Sequence, residues 1–297
     1  MPNSKHQQGV ALITVLLITA LVTLIISDML ARQRLTLYST ANQTYQQQMW
    51  QMALSGEAWA RQRVMPAATV NSHLASTNLA QPWAQPTPVF KIGEGKIHIH
   101  LEDLNARFNL NTLQARGDLI ARARYQRLLS QIGIAPHDPS VLPTRLGADG
   151  QPLPFANSSE LQRLPQLDND ALQRLAPWLT TQKNTQINLN TVDAPVLASL
   201  EGMDLSVAKA LVQSRPKEGY ASVQAFLDNP LLLGRNINAG SLSVRSQDFL
   251  ATIDVELGER RMRLLSTLHL DNGGQAIVIS RTLTNIPPSS NNESITP

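Results

Sequence analysis

A chain of 297 residues with no cysteine, 42% hydrophobic and 16% charged residues and a formal net charge of +3 can bury one large core or two modest ones. The missing thiols exclude disulfides, thiolate metal sites and cysteine nucleophiles, and they leave the redox compartment undetermined. A net charge this small and this spread out leaves no electrostatic footprint for nucleic acid or an acidic substrate.

Val10 to Ile26 is a run of 17 residues without a charge, and Asp28 is the first interruption before Leu30 and Ala31. At 1.5 Å per residue the run makes a helix of roughly 26–32 Å, close to the hydrocarbon thickness of a bilayer. A cleavable secretory signal has a shorter core, about 7–15 residues, and small residues at its cut site. Here the run ends in Ile25-Ile26-Ser27-Asp28-Met29, so it reads as an anchor. Charge bias does not orient it, because Lys5 precedes the run while Arg32 and Arg34 follow it.

Thr40 to Val64 lacks proline, and Tyr45, Met49, Met52, Ala53, Trp59, Ala60 and Val64 recur near helical spacing opposite a glutamine-rich face. The spacing predicts one helix of about 50 residues, half in lipid and half packed on a globular domain, with Gly56 as a weak point costing about 1 kcal/mol against alanine. Pro66, Pro82, Pro86 and Pro88 mark a loop region after it. Gly93-Glu94-Gly95 opens a strand in which Ile97, Ile99 and Leu101 alternate with His98, His100 and Glu102. Three more β-rich runs follow near the end, Phe249–Leu257, Met262–Leu270 and Ala276–Leu283, separated by the turn sequences Gly258-Glu259 and Asp271-Asn272-Gly273-Gly274. The tail from Asn285 to Pro297 is polar and proline-bearing and is expected to lack a fixed fold.

The middle, Thr112 to Asn238, is helical in pattern and repeats itself. Leu161, Leu164, Leu167, Asp168, Ala171 and Leu175 recur as Leu197, Leu200, Met203, Asp204, Val207 and Leu211, and each copy reads as helix, turn, helix. Thr191 is the expected N-cap of the helix whose first turn holds Asp193 and Pro195. The repeat resembles helix-hairpin-helix modules, which bind DNA phosphates through a Gly-hydrophobic-Gly turn. Aspartates replace the second glycine in both Gln166-Leu167-Asp168 and Gly202-Met203-Asp204. A negative charge there opposes phosphate, which argues against nucleic acid.

Other candidate sites are thin. His98 and His100 share a strand face but lack a third metal ligand in the sequence, so they read as surface residues. Arg116, Arg122, Arg124 and Arg127 read as a solvated helix face. No HExxH, GxSxG, Walker or full GxGxxG pattern occurs, so there is no catalytic constellation and no enzyme is expected.

A polar leader ending in Gly9 ahead of an uninterrupted apolar helix resembles a type IV prepilin-like N-terminus. That resemblance implies that a prepilin peptidase cuts after Gly9 and methylates the new amine on Val10. Three segments in order are more specific: "GVALITVLLITALVTLIIS" with "ALSGEAWA"; "LEDLNARFNLNTL"; and "PFANSSELQRLPQL" followed by "INLNTVDAPVLASL". Together they are similar to the K minor pseudopilin of type II secretion systems, the general secretion pathway protein K family. The motif residues that carry the likeness are Asp103, Phe108, Asn109, Asn111, Asn188, Asn190 and Thr191.

The resemblance implies an α+β fold: a long N-terminal helix, transmembrane then amphipathic, on a four-stranded antiparallel sheet, with a large all-α domain of degenerate helix-hairpin-helix-like repeats inserted between strands. It divides the chain into a leader (1–9), a transmembrane helix (10–31), an amphipathic helix half (32–65), a loop and first strand (66–111), the helical insert (112–240), the final strands (241–284) and the tail (285–297). It implies a subunit at the pseudopilus tip, single-pass in the bacterial inner membrane with its globular part in the periplasm, assembled with the I and J minor pseudopilins and other pseudopilus subunits to support export of folded proteins. A minor pilin of a type IV pilus, used for adhesion or DNA uptake, is the alternative. Calcium binding comes only as a property of the family. No ligand set here matches residue by residue, so the metal ligands stay unassigned.

Thr14 would be the fifth mature residue, where most pilin-like subunits carry a glutamate that pairs with a neighbour's N-terminal amine. An ionised carboxylate deep in lipid costs about 2.5–3.5 kcal/mol on insertion scales and is worth keeping only with a partner. A threonine can bond back to its own helix and needs none. A subunit without that carboxylate suits the end of a filament.

Overall fold

Helix α1 spans Lys5–Val64, 60 residues. The computed structural model describes residues 5–65, 76–114, 118–138, 148 and 153–284. The first four residues, the start of the expected loop region at Pro66, Arg116 and the tail from Asn285 lie outside the described residues. The chain divides into two compact units, Met1–Met52 and Ala53–Pro297.

In the first unit, the helix is exposed on every side from Leu12 to Gln48, and its apolar stretch is long enough to cross a membrane. Thr19 donates its hydroxyl to the Leu16 carbonyl at 2.9 Å and Thr23 to the Thr19 carbonyl at 2.7 Å, so these polar groups are satisfied without water. Tyr45, expected on a packed face, is exposed instead.

The second unit is organised on an antiparallel sheet of β1 (Phe90–Ile92), β2 (Gly95–Asp103), β7 (Asp248–Leu257), β8 (Arg260–Leu270) and β9 (Ala276–Thr284), in that spatial order. The expected sheet had four strands. The fifth, β1, arises because Gly93 at φ +57° closes a tight hairpin that pairs Ile92 with Gly95. Gly258 at φ +60° does the same between β7 and β8, pairing Leu257 with Arg260. Ile97, Ile99 and Leu101 on β2, Ala251, Ile253 and Val255 on β7, and Leu264 and Leu268 on β8 are buried on one face.

The last turns of α1, from Ala53 to Val64, cover this face. A Cβ on Gly56 would stand 2.7 Å from Ile253 Cγ2 and 3.2 Å from Ile97 Cγ2. The expected weak point of the helix is therefore where it comes nearest the sheet, and only a bare α-carbon fits. One residue on, Glu57 is buried and accepts the Ser266 hydroxyl at 2.6 Å and the Arg281 guanidinium at 2.7 and 2.8 Å. Burial works against this charge, but the Arg281 and Ser266 hydrogen bonds outweigh it and hold the Glu57 carboxyl below the usual range. Trp59 packs edge-on against Phe90 of β1, with ring centroids 5.4 Å apart.

Between β2 and β7 runs the insert. It holds α2 (Leu119–Gln131), α3 (Asn169–Leu175), α4 (Ala194–Leu197), α5 (Leu205–Gln213) and α6 (Val223–Leu227), with several single 3-10 turns. It is not all-α as expected. Two parallel two-stranded pairs are built into it: β3 (Phe108–Asn109) with β4 (Leu179–Thr180), and β5 (Ile187–Asn188) with β6 (Leu242–Ser243). Asparagine side chains there take up backbone groups that a helix would have satisfied internally. Tyr125, Leu128, Leu161, Leu175, Leu197, Leu200 and Phe226 form the insert's core.

Gly56→Leu is expected to lower stability by about 1–3 kcal/mol through overpacking, against the roughly 1 kcal/mol that glycine loses to leucine in helix propensity. Thermal unfolding of the full chain in detergent micelles checks this, and a raised Tm would show that helix and sheet are not this close. Because the folded-state pKa of Glu57 is lowered, its contribution is present above about pH 4.3, the ordinary glutamate value. It is lost as pH falls through the folded-state value. Glu57→Gln should flatten that acid limb of a stability–pH profile, and an unchanged limb would sink the assignment.

Candidate functional site

Two features carry the sequence-assigned residues: the exposed helix of the first unit, and a buried polar node where the sheet meets the insert. In the helix, the Gly9–Val10 bond lies within α1, and side chains are described only from Leu12 onward. Thr14 is exposed among Ile13, Val15, Leu16 and Leu17, each more than half exposed.

The node centres on Asp103, the last residue of β2 and 6% exposed. Its Oδ1 accepts the Asn105 backbone N–H at 2.8 Å. Its Oδ2 accepts the Thr191 hydroxyl at 2.5 Å, the Ser246 hydroxyl at 2.5 Å and Asn188 Nδ2 at 3.1 Å. No arginine, lysine or histidine bonds this carboxylate among the described residues. Burial pushes the Asp103 carboxyl above the ordinary range, opposed by the Ser246, Thr191, Asn105 and Asn188 hydrogen bonds. The node extends through Asn105, whose Oδ1 accepts the N–H groups of Gln247 and Asp248 at 3.0 and 3.1 Å. Asn188 Nδ2 also donates to the Thr77 carbonyl at 3.1 Å, and Thr77 Oγ1 accepts the Ser246 N–H at 3.0 Å.

Thr191 is therefore not the N-cap that the sequence suggested. Asp193 occupies that position, without a side-chain cap bond, and the Thr191 hydroxyl donates instead to the Asp103 carboxyl.

The remaining motif residues form two copies of one device. Phe108-Asn109-Leu110-Asn111-Thr112 and Ile187-Asn188-Leu189-Asn190-Thr191 are near-identical pentapeptides. In each, the first asparagine accepts the backbone N–H of the second, at 2.9 Å in Asn109–Asn111 and 3.0 Å in Asn188–Asn190. The second asparagine then grips a distant backbone by both groups. Asn111 Oδ1 accepts the Phe155 N–H at 2.7 Å while its Nδ2 donates to the Thr181 and Phe155 carbonyls at 2.7 and 3.4 Å. Asn190 Oδ1 accepts the Tyr220 N–H at 2.6 Å while its Nδ2 donates to the Tyr220 carbonyl at 3.1 Å. Gly219, at φ +71°, admits this grip, since a Cβ would lie 2.5 Å from Asn190 Cγ. The signal for this pairing was in the sequence as the repeated pentapeptide; helical spacing does not register it.

The two aspartates at the hairpin turns act as caps. Asp168 Oδ1 accepts the Ala171 N–H at 2.7 Å at the start of α3, and Asp204 Oδ1 accepts the Val207 N–H at 2.9 Å at the start of α5. The arginines of α2 are not a solvated face either. Arg124 is 3% exposed and grips Glu201 through two 2.7 Å bonds, while Arg127 donates to the Ser199 carbonyl at 2.6 Å. Burial opposes the Glu201 charge, yet the Arg124 bonds hold its carboxyl below the usual range. A cavity of about 370 Å³ beside Arg124, Asn109 and Ile187 thus has its arginine already neutralised.

His98 lies opposite Asp254, which Arg263 holds through bonds of 2.6 and 2.7 Å, and His100 faces Glu102 at 3.3 Å. Among the described residues no three of His, Cys, Asp and Glu converge. They do not supply the carboxylate-rich set that a calcium ion takes, so calcium has no assigned place here.

A model of the family described as type II secretion system (T2SS), protein K, matches residues 187–245, a stretch that includes Asn188, Asn190 and Thr191. Type II secretion system protein K of Pseudomonas aeruginosa is 31% identical, covering 94% of this chain and 93% of that one. The protein of the same name from Klebsiella pneumoniae is 32% identical, over 89% and 93%. In fold, the chain is similar to one from the crystal structure of the GspK-GspI-GspJ complex of enterotoxigenic Escherichia coli, with TM-score 0.68, 24% identity and coverage of 83% of this chain and 99% of that one. An apolar anchoring helix, an antiparallel sheet and a large insert define the class: a minor pseudopilin of a type II secretion system. The chain belongs to the type II secretion system protein K family.

Asp103→Ala would leave the Asn105 N–H and the Ser246 hydroxyl without an acceptor and Thr191 with only a 3.4 Å bond to the Asn188 carbonyl, while Asn188 keeps the Thr77 carbonyl. Each unsatisfied donor costs about 1–3 kcal/mol before relaxation. A loss of at least about 3 kcal/mol is expected in denaturant titration. The raised folded-state pKa makes the sign opposite to that of Glu57. Stability contributed through Asp103 grows as pH falls through the folded-state value towards about 3.9, the ordinary aspartate value. The alanine variant should lack that gain, and a wild-type profile in the variant would contradict it.

Proposed function

We propose that this chain is the subunit that occupies the tip of the pseudopilus, assembled with the I and J minor pseudopilins, and that it supports export of folded proteins without catalysing a reaction. The observation that carries the tip reading is Thr14, a hydroxyl at the fifth mature position inside an exposed apolar helix. The chain of similar fold was solved in a complex of GspK with GspI and GspJ, which supports the choice of partners. Absence of a usable carboxylate at position 14 removes the usual contact to a neighbour's amine on one side, while the rest of the helix remains free to pack on subunits below.

In this reading a prepilin peptidase removes residues 1–9 and methylates Val10, residues 10–31 span the inner membrane, and the globular part lies in the periplasm. Residues 112–240 form most of the insert, and β7 to β9 within 241–284 return to the sheet. A type IV pilin that reads DNA through the hairpins is disfavoured, because both turn aspartates are spent as helix caps.

Gly9→Leu is expected to block leader removal when the chain is co-expressed with a prepilin peptidase. Intact mass reads the result, and a shortened, methylated product from the variant would overturn the cleavage assignment. Thr14→Glu is expected to leave membrane insertion intact while reducing secretion, and full secretion by that variant would sink the role given to the hydroxyl.

A further inference from the structure

The exposed helix carries an apolar surface beyond the run that ends at Ile26. Leu35, Leu37 and Tyr38 are 70%, 70% and 75% exposed, as open to the surroundings as Leu17 at 68% or Leu24 at 68%. Two arginines lie among them. Arg32 Nε is 2.9 Å from Asp28 Oδ2, which neutralises the lone acid of the segment. Arg34 has no ion pair among the described residues. Thr36 donates its hydroxyl to the Arg32 carbonyl at 3.0 Å, so it needs no water.

Length places these residues. About 20 helical residues, within a range of about 17–25, cross a hydrocarbon layer of about 30 Å, and the proposed span of residues 10–31 fits that range and ends at Ala31. The headgroup layer on one side is about 5–8 Å deep, or some three to five residues at 1.5 Å rise. It therefore falls on Arg32 to Thr36, while the backbone of Leu37 and Tyr38, about 9–11 Å beyond Ala31, lies outside it, and their side chains, tilted toward the helix N-terminus, reach back to its outer edge. Arginine heads and a tyrosine at that depth match what interfaces favour. Leu35 and Leu37 stand about 200° apart around the axis at 3.6 residues per turn, which fits a helix passing through the layer and not one lying flat upon it.

We infer that Arg32 to Tyr38 forms a collar that binds the lipid headgroup layer, with Arg34 on an anionic headgroup phosphate, Arg32 shared between Asp28 and the lipid, Leu35 immersed beside them, and the Leu37 and Tyr38 side chains resting on the layer's outer edge. The collar fixes the depth of the anchor. It rests on the anchoring reading, and the test separates the two. The full chain has no cysteine, so Thr23→Cys, Thr36→Cys and Thr44→Cys each give a single spin-label site. Each variant is reconstituted in vesicles of phosphatidylcholine or of phosphatidylcholine and phosphatidylglycerol in equal parts, and label depth is read from oxygen against nickel-complex accessibility.

The label at 23 should be deep in lipid, that at 36 in the headgroup layer and that at 44 in water. Arg34→Gln should move the label at 36 outward by about 2–5 Å, up to one helical turn, in the anionic vesicles. A label at 23 that is open to water would overturn the anchoring reading itself. A deep label at 23 with equal water access at 36 and 44 would overturn the collar alone. Protection at 36 that appears only when other pseudopilin subunits are added would assign the surface to a protein partner instead. An unchanged depth in Arg34→Gln would remove the arginine from the collar.

Discussion

A buried carboxyl group, Asp103, which no cationic side chain bonds among the described residues, joins the sheet to the insert. Asp103 ends a strand of the sheet, Ser246 lies just before the next one, and Asn188 and Thr191 belong to the insert, yet the last three all donate to one oxygen, Asp103 Oδ2. Such a group is stable only while its donors are in place, since each lost partner leaves polar atoms unsatisfied in a low-dielectric interior. The geometry of the insert relative to the sheet is thereby fixed by many short bonds at one point. An apolar contact would tolerate sliding; this one does not.

The same sheet is gripped on its buried face by the last turns of α1. Gly56 allows the approach to Ile253 and Ile97, and Glu57 locks it through Ser266 and Arg281. Ala53–Val64 is thus tied to β8 and β9 through Glu57, and the sheet is tied to the insert through Asp103. The asparagine clamps at Asn111 and Asn190 continue this linkage inside the insert, tying loops that have little secondary structure of their own.

Much of this was legible in the sequence, for physical reasons. The anchor shows itself by length and absence of charge, and the long strands by strict alternation, as in Ile97, Ile99 and Leu101. What periodicity could not give were features decided by tertiary contact. Phe90–Ile92 is too short to show a period. Arg124 on α2 looks solvent-facing until Glu201 arrives from 77 residues away. Thr191 satisfies every local rule for an N-cap, but a buried carboxylate from β2 outcompetes the local backbone. The motif residues Asp103, Asn109, Asn111, Asn188 and Asn190 stood out by family resemblance, and the structure supplies their chemistry: their side chains stand in for backbone pairing that the loops of the insert lack.

If Asp103 makes sheet and insert one body, they must open together. Native-state hydrogen exchange on the full chain reads this most directly, by comparing amides of Ile99 and Ile253 in the sheet with those of Asn190 and Tyr220 in the insert. A common opening free energy for all four is the result this account requires. Insert amides that exchange through a separate, cheaper opening while the sheet stays protected would contradict it.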